Sequence, residues 1–186
     1  MNKKWSMLLT VIAALSLTFA ACKKDKGGES CTDGILNQNE EEVDCGGPCS
    51  PCATPAMSAL VDGTSWSAVD TFYLNKTSSS GFTTYQLKGL SGSKAIEFFF
   101  IFTDGVDSLK ENVVYKDSPT TTGFTFVNVR MIDGSNIYNH LVGSVELTFT
   151  RIAYGRATGT FKFTGSGSGA THSITNGTFT RIKING

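Results

Sequence analysis

From Met57 to the C-terminus, short segments that alternate apolar and polar residues recur about every ten residues, each cut off by Gly, Asp, Asn or Ser. Alternation with a period of two places every second side chain on one face of a strand, so this pattern confines the region to a β fold. "SVELTFTRI" is the cleanest case, with Val145, Leu147 and Phe149 on one side and Glu146, Thr148 and Thr150 on the other. "MSALVDGTSW" reads as a strand, an Asp62-Gly63 turn and a second strand carrying Trp66. "TFYLNKT", "TTYQLKGL", "NVVYK", "GFTFVNVRMIDG", "TGTFKFTG" and "TNGTFTRIKING" supply further strands; "DGVDSLKE" and "SNIYNH" read as loops and "SGSGATH" as a turn. In "KAIEFFFIFTDG", Ile96, Phe98, Phe100 and Phe102 share one face, and Phe99 and Ile101 the other. A strand apolar on both sides is buried centrally or meets a partner with its outer face.

These segments predict an all-β domain over 57–186: an antiparallel β-sandwich or meander barrel of about 9–10 strands. Some 130 residues suffice for one core of that kind. The pattern does not separate a closed barrel, which can hold a ligand in its mouth, from two packed sheets.

The N-terminus has another character. "MNKKWSMLLTVIAALSLTFAAC" places Lys3 and Lys4 before an apolar run that ends in Ala20 and Ala21, the layout of a secretory signal over residues 1–21. "LTFAAC" resembles a bacterial lipobox, with Phe19 where Leu is common; the resemblance implies lipidation of Cys22 and a membrane anchor. Residues 22–30 then form a polar tether.

Four of the five cysteines fall within "CTDGILNQNEEEVDCGGPCSPC", residues 31–52, which also carries five acids and no Lys or Arg. Such a stretch cannot bury a core, so covalent or ionic links must hold it. With Cys22 lipidated, Cys31, Cys45, Cys49 and Cys52 remain as an even set in an exported, oxidising setting, and disulfides are expected in one of three pairings. A zinc site would want a second CxxC pair, and a redox CxxC a βαβ context; the sequence offers neither. Asp33, Asn37, Glu40 and Asp44 offer hard oxygens to calcium, the one candidate cofactor, and they equally suit turn building. "ATPA", residues 53–56, reads as a linker.

Two wider resemblances rest on these residues. Cys31, Asp33, Gly34, Asn37, Glu40, Asp44, Cys45, Gly46, Gly47, Cys49 and Cys52 resemble a cysteine-rich element, C-x-D-G…D-C-G-G-x-C-x-x-C, found in exported bacterial proteins. That likeness implies a spacer rather than a catalyst. "MSALVDGTSWSA", "GTFKFTG" and the closing "ITNGTFTRIKI" look like the corresponding segments of an uncharacterised all-β family of Bacteroidota lipoproteins. This second likeness implies a fold and an envelope location but no activity.

Motifs for chemistry are sparse. His140 and His172 lie in expected turns, and no nucleophile elbow, phosphate loop or dinucleotide fingerprint occurs. Asp104, Asp107, Glu111, Asp117 and Asp133 could number among the acids of a hydrolase, yet each sits beside turn residues. The chain is formally neutral, and Arg130, Arg151, Arg156 and Arg181 are scattered along it, so no nucleic-acid partner is indicated. The Phe set reads as core, which leaves Trp66, Tyr73 and Tyr85, followed by Tyr115, Tyr138 and Tyr154, as candidates for contact with a glycan or protein. Asp107-Ser108-Leu109 resembles an O-glycosylation acceptor at Ser108.

The expectation is therefore a lipid-anchored cell-envelope protein, at the outer membrane and facing periplasm or exterior, whose β-domain binds or supports. A lipocalin-like carrier or sensor of a small apolar ligand is the alternative, and a hydrolase the third reading.

Overall fold

The computed structural model describes residues 30–103, 109–117 and 123–186. Cys22, Asp104, Asp107 and Ser108 lie outside the described residues, as does the expected signal over 1–21. The chain divides into two compact units between Cys52 and Ala53.

The first unit is held as its composition requires. Disulfides join Cys31 to Cys49 and Cys45 to Cys52. Between them the backbone folds on itself through a Glu42–Cys45 bridge and turn bonds such as Glu40 N to Asn37 O.

Among its described residues the second unit contains eleven strands and no helix. They are β1 (Ala56–Val61), β2 (Thr64–Ser67), β3 (Thr71–Ser79), β4 (Phe82–Ser91), β5 (Lys94–Thr103) and β6 (Val114–Lys116). They continue as β7 (Phe124–Asp133), β8 (Asn136–His140), β9 (Glu146–Ala153), β10 (Arg156–Gly167) and β11 (Ala170–Asn185). All belong to one mixed sheet with the order β2-β1-β11-β3-β4-β5-β7-β8-β10-β9-β6, and β11 also pairs with β10.

That extra pairing closes a ring. The β8–β10 contact spans only Gly165–His140 and Ser166–Asn139, and the parallel β11–β3 contact only Ile184–Leu74 and Asn185–Asn75. Two short corners thus join two broad layers: β2-β1-β11-β10-β9-β6 (layer one) and β3-β4-β5-β7-β8 (layer two). The molecule is a sandwich closed at its corners, intermediate between the two expected forms.

Three local readings need correction. "SNIYNH" is not a loop but supplies β8, because Tyr138 turns inward against Met131 in register. "SGSGATH" is mostly strand: β10 runs to Gly167 and β11 resumes at Ala170, so both histidines stand on strands. The connections are also less meander-like than expected, since β6 leaves β5 to pair with β9 in the opposite layer.

The core is built from the inward face of the Phe alternation. Phe98 on β5 meets Phe161 and Phe163 on β10 at ring distances of 5.2 and 5.5 Å, and Phe100 meets Phe149 on β9 at 6.3 Å. These contacts cross from one layer to the other, so rings fill the interior. The price in backbone freedom falls on Gly159 and Gly177. A Cβ at Gly159 would lie 2.1 Å from the Thr148 carbonyl oxygen, and one at Gly177 2.4 Å from the Phe161 ring.

Candidate functional site

β11 is too long and too bent to be a plain strand. Asn176 has φ of 49°, and the β10–β11 register shifts between Phe161 and Phe163. This bulge interrupts the ladder and re-aims the side chains around it. Asn is among the few residues that accept a left-handed conformation at modest cost.

Around the bulge the outer face of layer one is hollowed. One hollow of about 390 Å³ is lined by Glu146, Thr148, Thr160, Lys162, Asn176 and Thr178, among others. A second, of about 290 Å³, is lined by Ser58, Leu60, Ser65, Ser67 and again Asn176. Asn176 is thus the shared wall of a trough that crosses β9, β10, β11, β1 and β2.

Register explains what lines it. Thr148 pairs with Thr160, Thr160 with Thr178, Thr178 with Ser58, and Ser58 with Ser67. Directly paired residues share a face, so five hydroxyls form one row across five strands, about 19 Å long at ordinary strand spacing. Ser58 Oγ and Thr178 Oγ1 are 3.1 Å apart, within hydrogen-bond distance. Each hydroxyl can donate and accept.

Beside this row lies a charged one, in which Glu146 sits between Lys162 at 3.0 Å and Lys116 at 3.2 Å. Hydrogen bonds from Lys162 and then Lys116 hold the Glu146 carboxyl below the ordinary glutamate range. All three side chains remain open to solvent.

The aromatic candidates fare unevenly. Trp66 and Tyr85 are 8% and 4% exposed and pack into the core, and Trp66 also lines the second hollow. Tyr85 stacks on Phe100 at 5.4 Å, while the buried Trp66 Nε1 has no acceptor among the described residues. Tyr73 is half-buried on β3, and burial raises its phenol pKa. Tyr115 and Tyr138 are also buried, whereas Tyr154, in the β9–β10 turn, is exposed.

Both histidines pair with carboxylates. His172 Nδ1 lies 2.6 Å from Asp62 Oδ2, and Asp62 Oδ1 accepts the Ser173 amide at 2.8 Å. The bond to His172, followed by that from Ser173, lowers the Asp62 pKa. His140 Nδ1 faces the Val129 carbonyl at 3.2 Å, and its Nε2 stands 3.6 Å from Asp117. Among the described residues no hydroxyl is hydrogen-bonded to either ring, so neither pair is assembled with a nucleophile. Asp133 pairs with Lys94 at 3.3 Å, and Glu111 accepts the Ile152 amide at 2.5 Å, which are structural roles.

In the cysteine-rich unit the acids accept backbone donors. Asp33 takes the amides of Ser30 and Ile35, each at 2.9 Å, plus the Asn37 side-chain amide, and these bonds lower its pKa. Asp44 takes the Gly34 amide, and Glu40 Oε2 takes those of Asn37 and Asp44. Glu40 Oε1 lies 3.1 Å from Cys49 Sγ, a disulfide sulfur with no proton to give. A calcium ion on Asp33, Asn37, Glu40 and Asp44 would share carboxylate oxygens that already accept these donors, while the buried Asn37 Oδ1 has no hydrogen-bond partner among the described residues. The grouping of Cys31, Glu40 and Cys49 offers no thiolate, because both sulfurs are bonded to each other.

The trough residues were invisible to sequence reasoning, since each is an unremarkable polar position on its own strand. The Asn176-Gly177 pair was the one local signal, a turn-type dipeptide inside a strand pattern. The chain matches no family model, and comparison finds no similar curated protein and no similar solved structure.

Proposed function

We propose that the chain is a lipid-anchored cell-envelope protein whose β-domain is a binding module, with Cys22 carrying the anchor and the disulfide-rich unit serving as spacer. The observation that carries this reading is the trough on the outer face of layer one, its lining mixed polar and apolar, at the bulge where Asn176 interrupts the sheet. Exposed hydroxyls, an amide and an ion triad provide hydrogen-bonding groups without a reaction centre. The cross-layer ring contacts support a surface ligand over cargo carried inside, because the interior volume is occupied by side chains. The signal layout and lipobox likeness of residues 1–22 support the outer membrane as the location.

The test uses the full chain expressed in a Bacteroidota host fed a radiolabelled fatty acid. The label should appear on the protein in the outer-membrane fraction and vanish in Cys22→Ala. The detergent-extracted protein should then retain at least one polymer on a glycan array. A soluble, unlabelled wild-type protein would overturn the anchor, and a blank array the binding role.

A further inference from the structure

The trough has two walls, and register says what each is made of. One wall is the hydroxyl row Thr148–Thr160–Thr178–Ser58–Ser67. The other stands two residues away along the strands. There Glu146 pairs with Lys162, the bulge at Asn176 lies opposite Lys162, and Leu60 pairs with Thr175 and Ser65. Two residues of extended chain set the walls about 7 Å apart. Between them Phe161, Ala59 and Trp66 line the hollows but are buried, and Gly177 has no side chain. The floor is therefore apolar and unobstructed, and the walls are mostly polar.

The charged groups of this layer are engaged with the protein itself. Lys162 and Lys116 hold Glu146 at 3.0 and 3.2 Å. Arg156 Nη1 donates to the Arg181 carbonyl at 3.2 Å, and Arg181 Nη1 to the Ala53 carbonyl at 2.6 Å. The neutral polar groups are freer. Ser58 and Thr178 are within hydrogen-bond distance of each other, whereas among the described residues the side chains of Thr148, Thr160, Ser67 and Asn176 make no such bond. What the trough offers a ligand is thus a run of uncharged donors and acceptors over an apolar floor.

We infer that the trough holds an extended, uncharged polysaccharide, a β-linked glucan-type chain lying across the strands with its hydroxyls on the Thr148–Thr160–Thr178–Ser58–Ser67 wall and on Asn176. The inference rests on the binding-module reading and names its ligand class. Sugar hydroxyls both donate and accept, as the wall groups do, and the carbon–hydrogen faces of sugar rings suit an apolar floor. Neighbouring strands lie about 4.8 Å apart, close to the rise per sugar of an extended β-linked chain, so successive rings meet successive strands. A polyanion such as a nucleic acid would need cations to spare, and here the lysines are held by Glu146. An extended peptide would want a sheet edge, whereas β9, β10, β11 and β1 beneath the trough are each paired on both sides. A wholly apolar ligand would leave the hydroxyls without partners.

The test is affinity electrophoresis of the full-length, detergent-extracted protein through gels containing a soluble mixed-linkage β-glucan. Dextran serves as the flexible neutral polymer and polygalacturonate as the anionic one. The β-glucan should retard the protein, and a roughly tenfold rise in salt should leave the retardation unchanged, because no charge is exchanged. Thr160→Val should weaken binding several-fold, and Thr160→Arg, which lays a long side chain in the trough, should abolish it. Both changes fall at an exposed position, so thermal midpoints should hold. Thr125→Arg, at an exposed position of layer two, should leave binding intact. Retardation by polygalacturonate alone, lost in salt, would overturn the uncharged ligand and leave the binding module standing. Equal retardation by dextran would overturn the extended chain, and binding that survives Thr160→Arg would overturn the trough as its site. Failure of all three polymers beside a positive glycan array would overturn this ligand class only, whereas a blank array as well would remove both readings together.

Discussion

Glu97 and Arg130 face each other across β5 and β7, with Arg130 Nε and Nη2 each 2.7 Å from Glu97 Oε2. Glu97 points to the outer side of layer two, opposite Phe98, yet is 4% exposed. Gln86 on β4 donates to its other oxygen. A carboxylate withdrawn from water on a sheet exterior is retained only with its partners in place. Glu97→Ala should cost about 2 kcal/mol, the range for a hydrogen-bonded charge whose partner stays partly open to solvent. Replacing Glu97 and Arg130 together should cost less than the sum of the single changes. Urea denaturation of the four proteins measures both, and strict additivity would show that the pair is not coupled.

Acid should destabilise the domain, for a reason that follows from three carboxylates. Burial pushes the Glu97 pKa up, but the bonds from Gln86 and Arg130 outweigh it, so the net shift is downward. Asp62 is lowered by His172 and Glu146 by Lys162. Groups depressed in the folded state bind fewer protons there than in the unfolded chain, so stability rises with pH across their titration. Their contribution is complete above the ordinary values of 4.5 for Glu and 3.8 for Asp, and is lost as pH falls through the depressed ones. Calorimetric midpoints should be level above about pH 5.5 and drop steadily below about pH 4.5. A midpoint unchanged down to pH 3 would contradict these assignments.

The contrast between legible and hidden features follows from the range of the interactions involved. Phe98, Phe100 and Phe102 announce their inward face by local alternation, and Asp62-Gly63 announces its turn by local backbone chemistry. The four cysteines announce disulfides, although their pairing had to come from the fold. The trough depends on register between distant strands; Ser58 and Thr178, for instance, meet across 120 residues. No local pattern encodes such a match. The burial of Trp66 was hidden for a related reason: on a four-residue strand its direction is set by pairing with Ala59, not by its own neighbours in sequence. β8 was hidden because its Asn residues and His140 disguise one inward residue, Tyr138.

Trp66 offers a test of what its ring contributes. It packs near Met57, Ala68 and Gly89 in the core, with an indole N–H that finds no acceptor among the described residues. Removing a buried ring costs about 3–5 kcal/mol, whereas removing an unsatisfied donor recovers part of the loss. Trp66→Ala should therefore unfold at much lower urea concentration, and Trp66→Phe should stay within about 1 kcal/mol of the parent. Equal losses in the two variants would mean that the N–H is satisfied after all.

The disulfide-rich unit should depend on its bridges rather than on metal. Cys31–Cys49 closes a separation of 18 residues, for which the loop-entropy contribution is about 3 kcal/mol. Reduction should collapse the amide dispersion of residues 31–52 in a nitrogen–proton correlation spectrum, while the β-domain resonances stay in place. Millimolar calcium or a chelator should leave the oxidised spectrum nearly unchanged, because Asp33, Glu40 and Asp44 already accept backbone amides. Saturable calcium shifts at those residues would reverse this reading and restore them as ligands.

Asn176 links the fold to the face it exposes. Its φ of 49° lies where a β-branched residue clashes with its own backbone, and it lines both hollows. Two substitutions separate these roles. Asn176→Gly accepts the same backbone conformation, so stability should change by less than about 1 kcal/mol. It nevertheless deletes the amide from the trough, and retention on the glycan array should fall. Asn176→Val should strain the bulge and lower the thermal midpoint by several degrees, with binding lost as a consequence of misplacing Thr178 and Gly177. If Asn176→Gly retains full binding while remaining folded, the amide is only a backbone device, and the hydroxyl row must account for recognition without it.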